Sequence, residues 1–247
     1  MDIVIATFLG FLAGVSGTLT GGLIIINQHK ESLSKQGLLL GFSGGIMIAV
    51  TIFDLWPEAW HFGGALPTFL GTAAGILLVH YFDPLLQFIP WYRQRKFSQI
   101  TKVGILLGMG IGVHNFPEGV ALGTTFIANP AMTGWMGLAL LMALHNIPEG
   151  MVMASAFKIG KVRLTKIVRA LILVEIPMAF GSTIGAVLGR ISARTIALSL
   201  GFAGGAMFLL VARELLPLAR KMSGLFWVGC GFGTGVFVGI ALVNLIH

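Results

Sequence analysis

Long apolar runs, separated by short polar or turn-forming stretches, recur along the whole chain. A membrane-spanning helix needs about 20 mostly apolar residues, and each run approaches or exceeds that length. The runs lack the period-two alternation that is typical of strands in a membrane barrel. The pattern therefore predicts an all-α polytopic membrane protein with eight helices, at roughly residues 3–26, 37–58, 65–90, 103–128, 132–157, 167–189, 195–219 and 224–246.

The composition agrees with a membrane location. Hydrophobic residues make up 56% of the 247 residues, charged residues only 10%, and the mean hydropathy is +0.92. A soluble domain has about 25% charged residues, which it needs to cover its surface. A lipid-facing surface removes that need. Since eight spans and short loops use up the chain, we expect a single transmembrane domain over residues 1–247.

The net charge of +7 follows from loop composition and does not indicate a nucleic-acid partner. Fourteen of the 16 Lys and Arg residues lie in or beside the loops after spans 1, 3, 5 and 7, whereas only Arg190 and Arg194 lie in the other loops. Basic residues are enriched in cytoplasmic loops, so both termini are predicted to lie outside the cytoplasm. An even number of spans requires the termini to share one side, which agrees.

Two pairs of similar segments indicate internal symmetry. Residues 41–59 and 201–219 are identical at eight of nineteen positions, and Asp54 aligns with Glu214. The predicted topology runs these segments in opposite directions, as in the inverted repeats of transporters. Between them, residues 114–119 read HNFPEG and residues 145–150 read HNIPEG. The simplest architecture is a 3+2+3 inverted-repeat bundle, with an antiparallel central pair between two sets of three helices.

The central motifs carry the candidate chemistry. His114 is about the twelfth residue of its span and His145 about the fourteenth, which places both near the bilayer midplane. Ionisable groups at that depth are costly unless they are paired or hydrated. On a helix, the His, Asn and Glu of each motif share one face, so a bound cation is predicted between His114, Asn115, Glu118, His145, Asn146 and Glu149. The alternative is a His–Glu hydrogen-bond network that only holds helices together.

The two motifs resemble those of the ZIP (Zrt/Irt-like) metal transporters of the bacterial, GufA-like type. The resemblance extends over the whole chain, in helix number, outside termini and repeat pattern. It implies a metal site in the transport path, with His114, Glu118, His145 and Glu149 as principal ligands and Asn115 and Asn146 at a second metal. Some relatives have an acidic residue at the position of Asn146, so a second metal is expected to find less negative charge here.

Three weaker matches to the family, and two acidic residues chosen for their position alone, are further candidates. Met47 stands where the family can offer a thioether ligand, although core packing is the alternative. Glu175 resembles a ligand on the sixth helix. Glu214 resembles a residue near the cytoplasmic exit, with an ion pair to Arg213 or Arg220 as the alternative; relatives often have His at the position of Arg213. Asp54 and Glu58 are predicted at the outer end of the second span, either attracting cations or forming an ordinary wet helix end.

The leading functional hypothesis is a secondary transporter for divalent transition metals. Imidazole and carboxylate ligands suit Zn²⁺, Fe²⁺, Mn²⁺ or Cd²⁺ better than Mg²⁺ or Cu⁺. The resemblance favours Zn²⁺ and implies import toward the cytoplasm. No cofactor is expected, and no GxxxxGK[ST] motif indicates use of ATP.

Two other functions use the same residues. In an intramembrane hydrolase they would activate a metal-bound water, and in a proton-coupled carrier of an organic cation they would relay protons. The near identity of the two motifs and the absence of HExxH favour a carrier over an enzyme. Short loops and the bacterial-type motif suggest a prokaryotic inner membrane, and a homodimer is one arrangement that the sequence allows.

Overall fold

The computed structural model describes residues 2–27, 33–87, 98–128, 133–188 and 192–246. Within these ranges the chain is helical throughout, apart from short turns, and contains no strand, which confirms the all-α class. We number the helices α1 Asp2–Asn27, α2 Leu33–Gly63, α3 Ala65–Gln87, α4 Gln99–Ala128, α5 Thr133–Ile159, α6a Leu164–Leu173, α6b Ile176–Leu188, α7 Ala193–Ser223 and α8 Leu225–Ile246. With α6a and α6b taken as one, these eight helices begin and end within a few residues of the predicted spans.

The surface of the bundle is apolar. Six helices are long and apolar enough to cross a membrane by length and composition, namely α1, α2, α4, α6, α7 and α8, and α3 contributes a shorter apolar stretch, Ala65–Tyr81; only the described residues enter that count. Large hydrophobic side chains such as Val4, Phe69 and Phe237 are at least 70% exposed. In water such a surface would cause aggregation, so the chain is an integral membrane protein.

Two helices contain a wide turn that the sequence did not predict. The segments Thr51–Leu55 in α2 and Val211–Leu215 in α7 are π-helical. Each is followed two residues later by a proline, Pro57 or Pro217. A proline ring clashes with the carbonyl four residues earlier, and a wider turn accommodates it without ending the helix. About two turns after each proline, Gly64 and Gly224 adopt φ of 76° and 80°, where a side chain would be strained, and end the two helices.

The sixth helix is broken, whereas a single span was predicted. Its two pieces, α6a and α6b, are separated by Val174 and Glu175, and Pro177 lies in the first turn of α6b. Proline disfavours the helical conformation of the residue before it and donates no backbone hydrogen bond. The break therefore places Glu175 between two helix ends, inside the bundle, with no exposed surface.

Four helix pairs pack at backbone distance through glycine. The pairs are α1 with α5, α4 with α6b, α2 with α8, and α3 with α7. In each pair, a Cβ placed on a glycine would lie 2.0–2.3 Å from a carbonyl oxygen of the partner helix, as at Gly17, Gly119, Gly45 and Gly75. Small residues allow this close approach, which stabilises helix contacts in lipid.

The pairs assemble into two groups. Helices α1, α4, α5 and α6 share two apolar clusters, which include Ile111, Met153, Leu171 and Met178. Helices α2, α3, α7 and α8 share a larger cluster, to which α4 and α5 also contribute. The motif-bearing helices α4 and α5 therefore lie where the two groups meet.

Candidate metal site

The first motif lies within one continuous helix. Pro117 is inside α4, which runs through it without a break. His114 and Asn115 have no exposed surface and Glu118 is 1% exposed. The 3.6-residue period of the helix turns these three side chains toward the centre of the bundle, as the sequence predicted.

The second motif meets the first through a short contact between a histidine and a glutamate. Glu149 on α5 lies opposite His114 on α4, with 2.7 Å between its Oε1 and His114 Nε2. His114 Nδ1 lies 3.1 Å from the carbonyl oxygen of Gly110, one turn earlier. Because that carbonyl can only accept a hydrogen bond, Nδ1 carries the hydrogen. His114 therefore directs Nε2 at the carboxylate, which is the orientation that a metal-binding histidine takes when its other nitrogen is held by the backbone.

A second buried carboxylate lies beside this pair, at the break in α6. Glu175 Oε2 accepts a hydrogen bond of 2.8 Å from Asn115 Nδ2, and Glu175 Oε1 accepts one from the Thr18 hydroxyl. Asn115 Nδ2 also lies 3.5 Å from the carbonyl oxygen of Val174. Asn115 belongs to the first motif, so Glu175 is connected to the motif face of α4.

Several ligand-type atoms in this region lack a hydrogen-bond partner among the described residues. They are Asn115 Oδ1, both polar side-chain atoms of Asn146, and Glu149 Oε2. All three residues have no exposed surface. A buried polar group without a partner costs about 1–3 kcal/mol, so natural proteins rarely keep several together unless a ligand satisfies them. Three of these atoms are oxygens that can coordinate a cation.

The described side chains alone do not form a closed metal site. Among the residues that the structure describes, no three His, Cys, Asp or Glu side chains are grouped so that they could hold a metal ion. His145 belongs to α5, but its side chain lies outside the described part of the structure. Of the predicted principal ligands, His114 and Glu149 are in contact, and Glu118 is buried one turn from His114.

The remaining predicted residues lie on α2 and α7, outside the two motif-bearing helices. Met47 is 3% exposed and packs in the large apolar cluster, which is the core-packing alternative. Its carbonyl accepts a hydrogen bond from the Thr51 hydroxyl, which also contacts the sulfur of Met207, the residue aligned with Met47 in the repeat.

The acidic residues predicted along the pathway differ in burial. Asp54 lies in the π turn of α2 and is 5% exposed, so it is not at a wet helix end. Glu58 is half-buried one turn later. Glu214, in the π turn of α7, has an oxygen 3.7 Å from Arg213 Nε, and Arg213 also contacts His80. The ion pair that was the alternative for Glu214 is therefore present.

Comparison with known proteins identifies the class that the chain resembles. No family model matches it. It is 33% identical over 133 residues to the zinc transporter ZupT of Salmonella arizonae, covering 50% of this chain and 47% of that protein. The corresponding values are 32% over 142 residues, with 53% of each chain, for ZupT of Escherichia fergusonii, and 31% over 140 residues, with 50% and 52%, for ZupT of Streptococcus mutans. The chain thus aligns with about half the length of these curated relatives.

These similarities confirm the resemblance to ZIP transporters that the motifs indicate. The relatives are named as transporters, not as enzymes. A transporter is a membrane protein, so these names also agree with the membrane-spanning helices of the structure.

Sequence reasoning missed the part that α1 plays in the site. Thr18 hydrogen-bonds Glu175, and a Cβ on Gly14 would lie 2.1 Å from Glu175 Oε2, so α1 leaves just enough room for that carboxylate. The signal was the spacing of Gly10, Gly14, Gly17 and Gly21, which predicts a closely packed helix face but not what it packs against.

Proposed function

We propose that this protein carries divalent transition-metal ions, zinc first among them, across a membrane through a site between α4 and α5. The observation that carries the proposal is the pair of His-Asn-x-Pro-Glu-Gly motifs, which contribute an interhelical His114–Glu149 pair and unsatisfied ligand atoms in the interior of a membrane bundle. The similarity to ZupT proteins supports zinc as the substrate.

The metal would enter the site by replacing a hydrogen bond. Zn²⁺ binds neutral imidazole and ionised carboxylate, so it competes with any proton shared between His114 Nε2 and Glu149 Oε1. Glu118, and His145 from the second motif, would complete the ligand set. Binding then releases protons from the site, and departure of the metal restores the His–Glu hydrogen bond, which closes the site behind it.

A second metal position is proposed next to the first, around Asn115, Asn146 and Glu175. Glu175 and the oxygen of Asn115 supply hard oxygen ligands there, as does the oxygen of Asn146. One carboxylate and two amides carry less negative charge than the His and Glu of the first position. We therefore propose that this position binds metal more weakly and serves as a transit site.

The transport step is proposed to be alternating access by the central pair within a single 3+2+3 inverted-repeat domain. An inverted repeat would relate α1 to α6, α2 to α7, α3 to α8 and α4 to α5. Under this exchange the α1–α5 pair becomes α6–α4, and the α2–α8 pair becomes α7–α3. These four pairs are the most closely packed helix pairs of the bundle, as the repeat requires. The π turns of α2 and α7 correspond under the same exchange. The basic loops favour both termini outside the cytoplasm. The resemblance to ZIP transporters implies import toward the cytoplasm of a prokaryotic cell.

Uptake of radioactive Zn²⁺ into proteoliposomes tests the proposal. We expect purified protein to accumulate zinc above protein-free vesicles, with competition by Cd²⁺, Fe²⁺ or Mn²⁺ but little by Mg²⁺. Protein that binds Zn²⁺ tightly but moves none under any zinc, proton or voltage gradient would contradict a carrier and favour a metal-dependent hydrolase. Uptake of organic cations without any metal would favour the proton-coupled alternative.

A separate prediction concerns Thr18, which we propose as a positioning residue. Thr18→Val keeps the shape of the side chain but removes the donor to Glu175 Oε1. Loss of one donor to a buried carboxylate costs about 1–3 kcal/mol, so we expect the zinc concentration for half-maximal uptake to rise about tenfold. Thr18→Ser retains the hydroxyl and should behave like wild type.

The matched control is Thr20→Val on the same helix. Thr20 is exposed, and among the described residues its hydroxyl bonds only the carbonyl of Ser16, so its loss should leave zinc affinity unchanged. If Thr18→Val and Thr20→Val give the same zinc dependence as wild type, the orientation of Glu175 does not matter for transport.

A further inference from the structure

A cleft between α4 and α6 takes no part in the proposed metal site. Two cavities of about 550 and 460 Å³ share Gly108, Met109, Leu173 and Val174, and therefore form one continuous cleft. Its walls are apolar almost throughout. Phe202 of α7 closes one end, and Lys166 and Arg169 line the other.

The size of the cleft suits one lipid chain. Its lining on α4 extends from Gly104 to Phe116, which at 1.5 Å per residue is about 18 Å. One leaflet contributes about half of the roughly 30 Å hydrocarbon thickness of a bilayer. The cleft therefore runs from a membrane surface to about the midplane, along the direction that an acyl chain takes.

The two basic residues are placed to bind an anion at the surface end. Lys166 and Arg169 are three residues apart on α6a, and so share one face of the helix. Both are exposed, and neither makes an ion pair or a side-chain hydrogen bond with any residue that the structure describes. Their long apolar stems can lie along the cleft while their charged ends reach the level of the lipid headgroups.

We propose that this cleft binds one anionic phospholipid of the surrounding bilayer, with an acyl chain between α4 and α6 and the phosphate on Lys166 and Arg169. Basic pockets between membrane helices are known to recognise anionic headgroups. A zwitterionic lipid brings its own cation next to the phosphate and gains less from the two side chains. The basic loops place this headgroup site in the cytoplasmic leaflet.

Native mass spectrometry of the delipidated protein in detergent, titrated with phosphatidylglycerol or phosphatidylcholine, tests the headgroup part. In wild type we expect preferential retention of phosphatidylglycerol. Lys166→Gln with Arg169→Gln should weaken one bound phosphatidylglycerol about 30-fold and remove the preference at that site. The count should fall by one and not to zero, because Arg220 and Lys221 line a separate cavity of about 670 Å³.

The control is Lys161→Gln with Arg163→Gln. It removes the same charge from exposed positions just before α6a that do not line the cleft. Retention of the preference in this control, and its loss in the cleft variant, is the expected result. Equal loss in both would show attraction to a general basic surface and would overturn the proposal.

Gly112→Leu tests the acyl-chain part without changing charge. A Cβ at Gly112 would meet only ordinary contacts, at 3.6 Å from Pro177 Cγ and the Val174 carbonyl oxygen, and the rest of the side chain would extend into the cleft. We expect this variant also to lose one bound phosphatidylglycerol. If it keeps the lipid while the charge variant loses it, the headgroup binds without the cleft, and the proposal is wrong.

Discussion

Zinc uptake is expected to be lost in Glu149→Gln, with an initial rate about 150- to 5,000-fold below that of wild type. The substitution keeps the size of the side chain but removes the charge that faces His114 Nε2 at 2.7 Å. Removing one partner of a buried charged pair costs about 3–5 kcal/mol, which corresponds to that range of rates. A dehydrated Zn²⁺ would lose the same carboxylate, so transport should suffer even where the protein folds.

The measurement is the initial rate of radioactive zinc uptake per amount of monodisperse protein. Asp2→Asn is the control, because it makes the same kind of change at an exposed position at the start of α1. The zinc dependence of the melting temperature distinguishes a His114–Glu149 pair that binds metal from one that only holds the helices together. If Glu149 binds metal, zinc should raise the melting temperature of wild type but not of Glu149→Gln.

Two results would contradict the proposal that Glu149 binds the metal. A Glu149→Gln protein that keeps more than a tenth of the wild-type rate would show that this carboxylate is not a principal ligand. If the variant loses transport but keeps the full zinc-dependent rise in melting temperature, Glu149 takes part in the conformational change and does not bind the metal.

The spans and the motif face could be predicted because each depends on local pattern. Apolar runs of the right length form helices in lipid, where every backbone polar group must be paired within the segment. Helical periodicity then places His114, Asn115 and Glu118 on one face, and the structure buries all three. Neither step requires knowledge of which helices are neighbours.

The helix irregularities could not be predicted, because the same residue type has different effects in different places. Pro117 and Pro148 lie inside continuous helices, Pro57 and Pro217 follow π turns, and Pro177 follows a break. A proline always removes one hydrogen bond, but the neighbouring helices decide how the freed backbone is accommodated. The position of Glu175 at the break was therefore beyond sequence reasoning.

Which partner a buried polar group finds also depends on which helices are neighbours. Thr18 is 157 residues from Glu175 in the chain, and its hydroxyl reaches that carboxylate only because glycine lets α1 approach so closely. Thr is common in membrane helices and usually bonds its own helix, as Thr20 does here. No pattern in the first span distinguishes these two threonines.

Gly150→Ala is expected to lower the stability of the protein and to impair transport. Gly150 is the last residue of the second motif, and a Cβ there would lie 2.0 Å from the carbonyl oxygen of Thr18. A backbone atom cannot rotate away, so α1 and α5 must separate, and such overpacking costs about 1–3 kcal/mol or more. For a chain of this size each kcal/mol lowers the melting temperature by about 2–4 °C. The same displacement would move Thr18 relative to Glu175.

Gly229→Ala and Gly233→Ala on α8 are the matched controls, because a Cβ at either position meets no atom within 4 Å. Replacing a helical glycine by alanine favours the helix by up to about 1 kcal/mol in all three variants, so the difference between them isolates the packing term. We expect the α8 variants to melt at or above the wild-type temperature and to transport zinc normally. If Gly150→Ala melts and transports as the α8 variants do, the close α1–α5 contact is not needed for stability or transport. The glycine of the motif would then be required for the conformation of its own backbone and not for packing against α1.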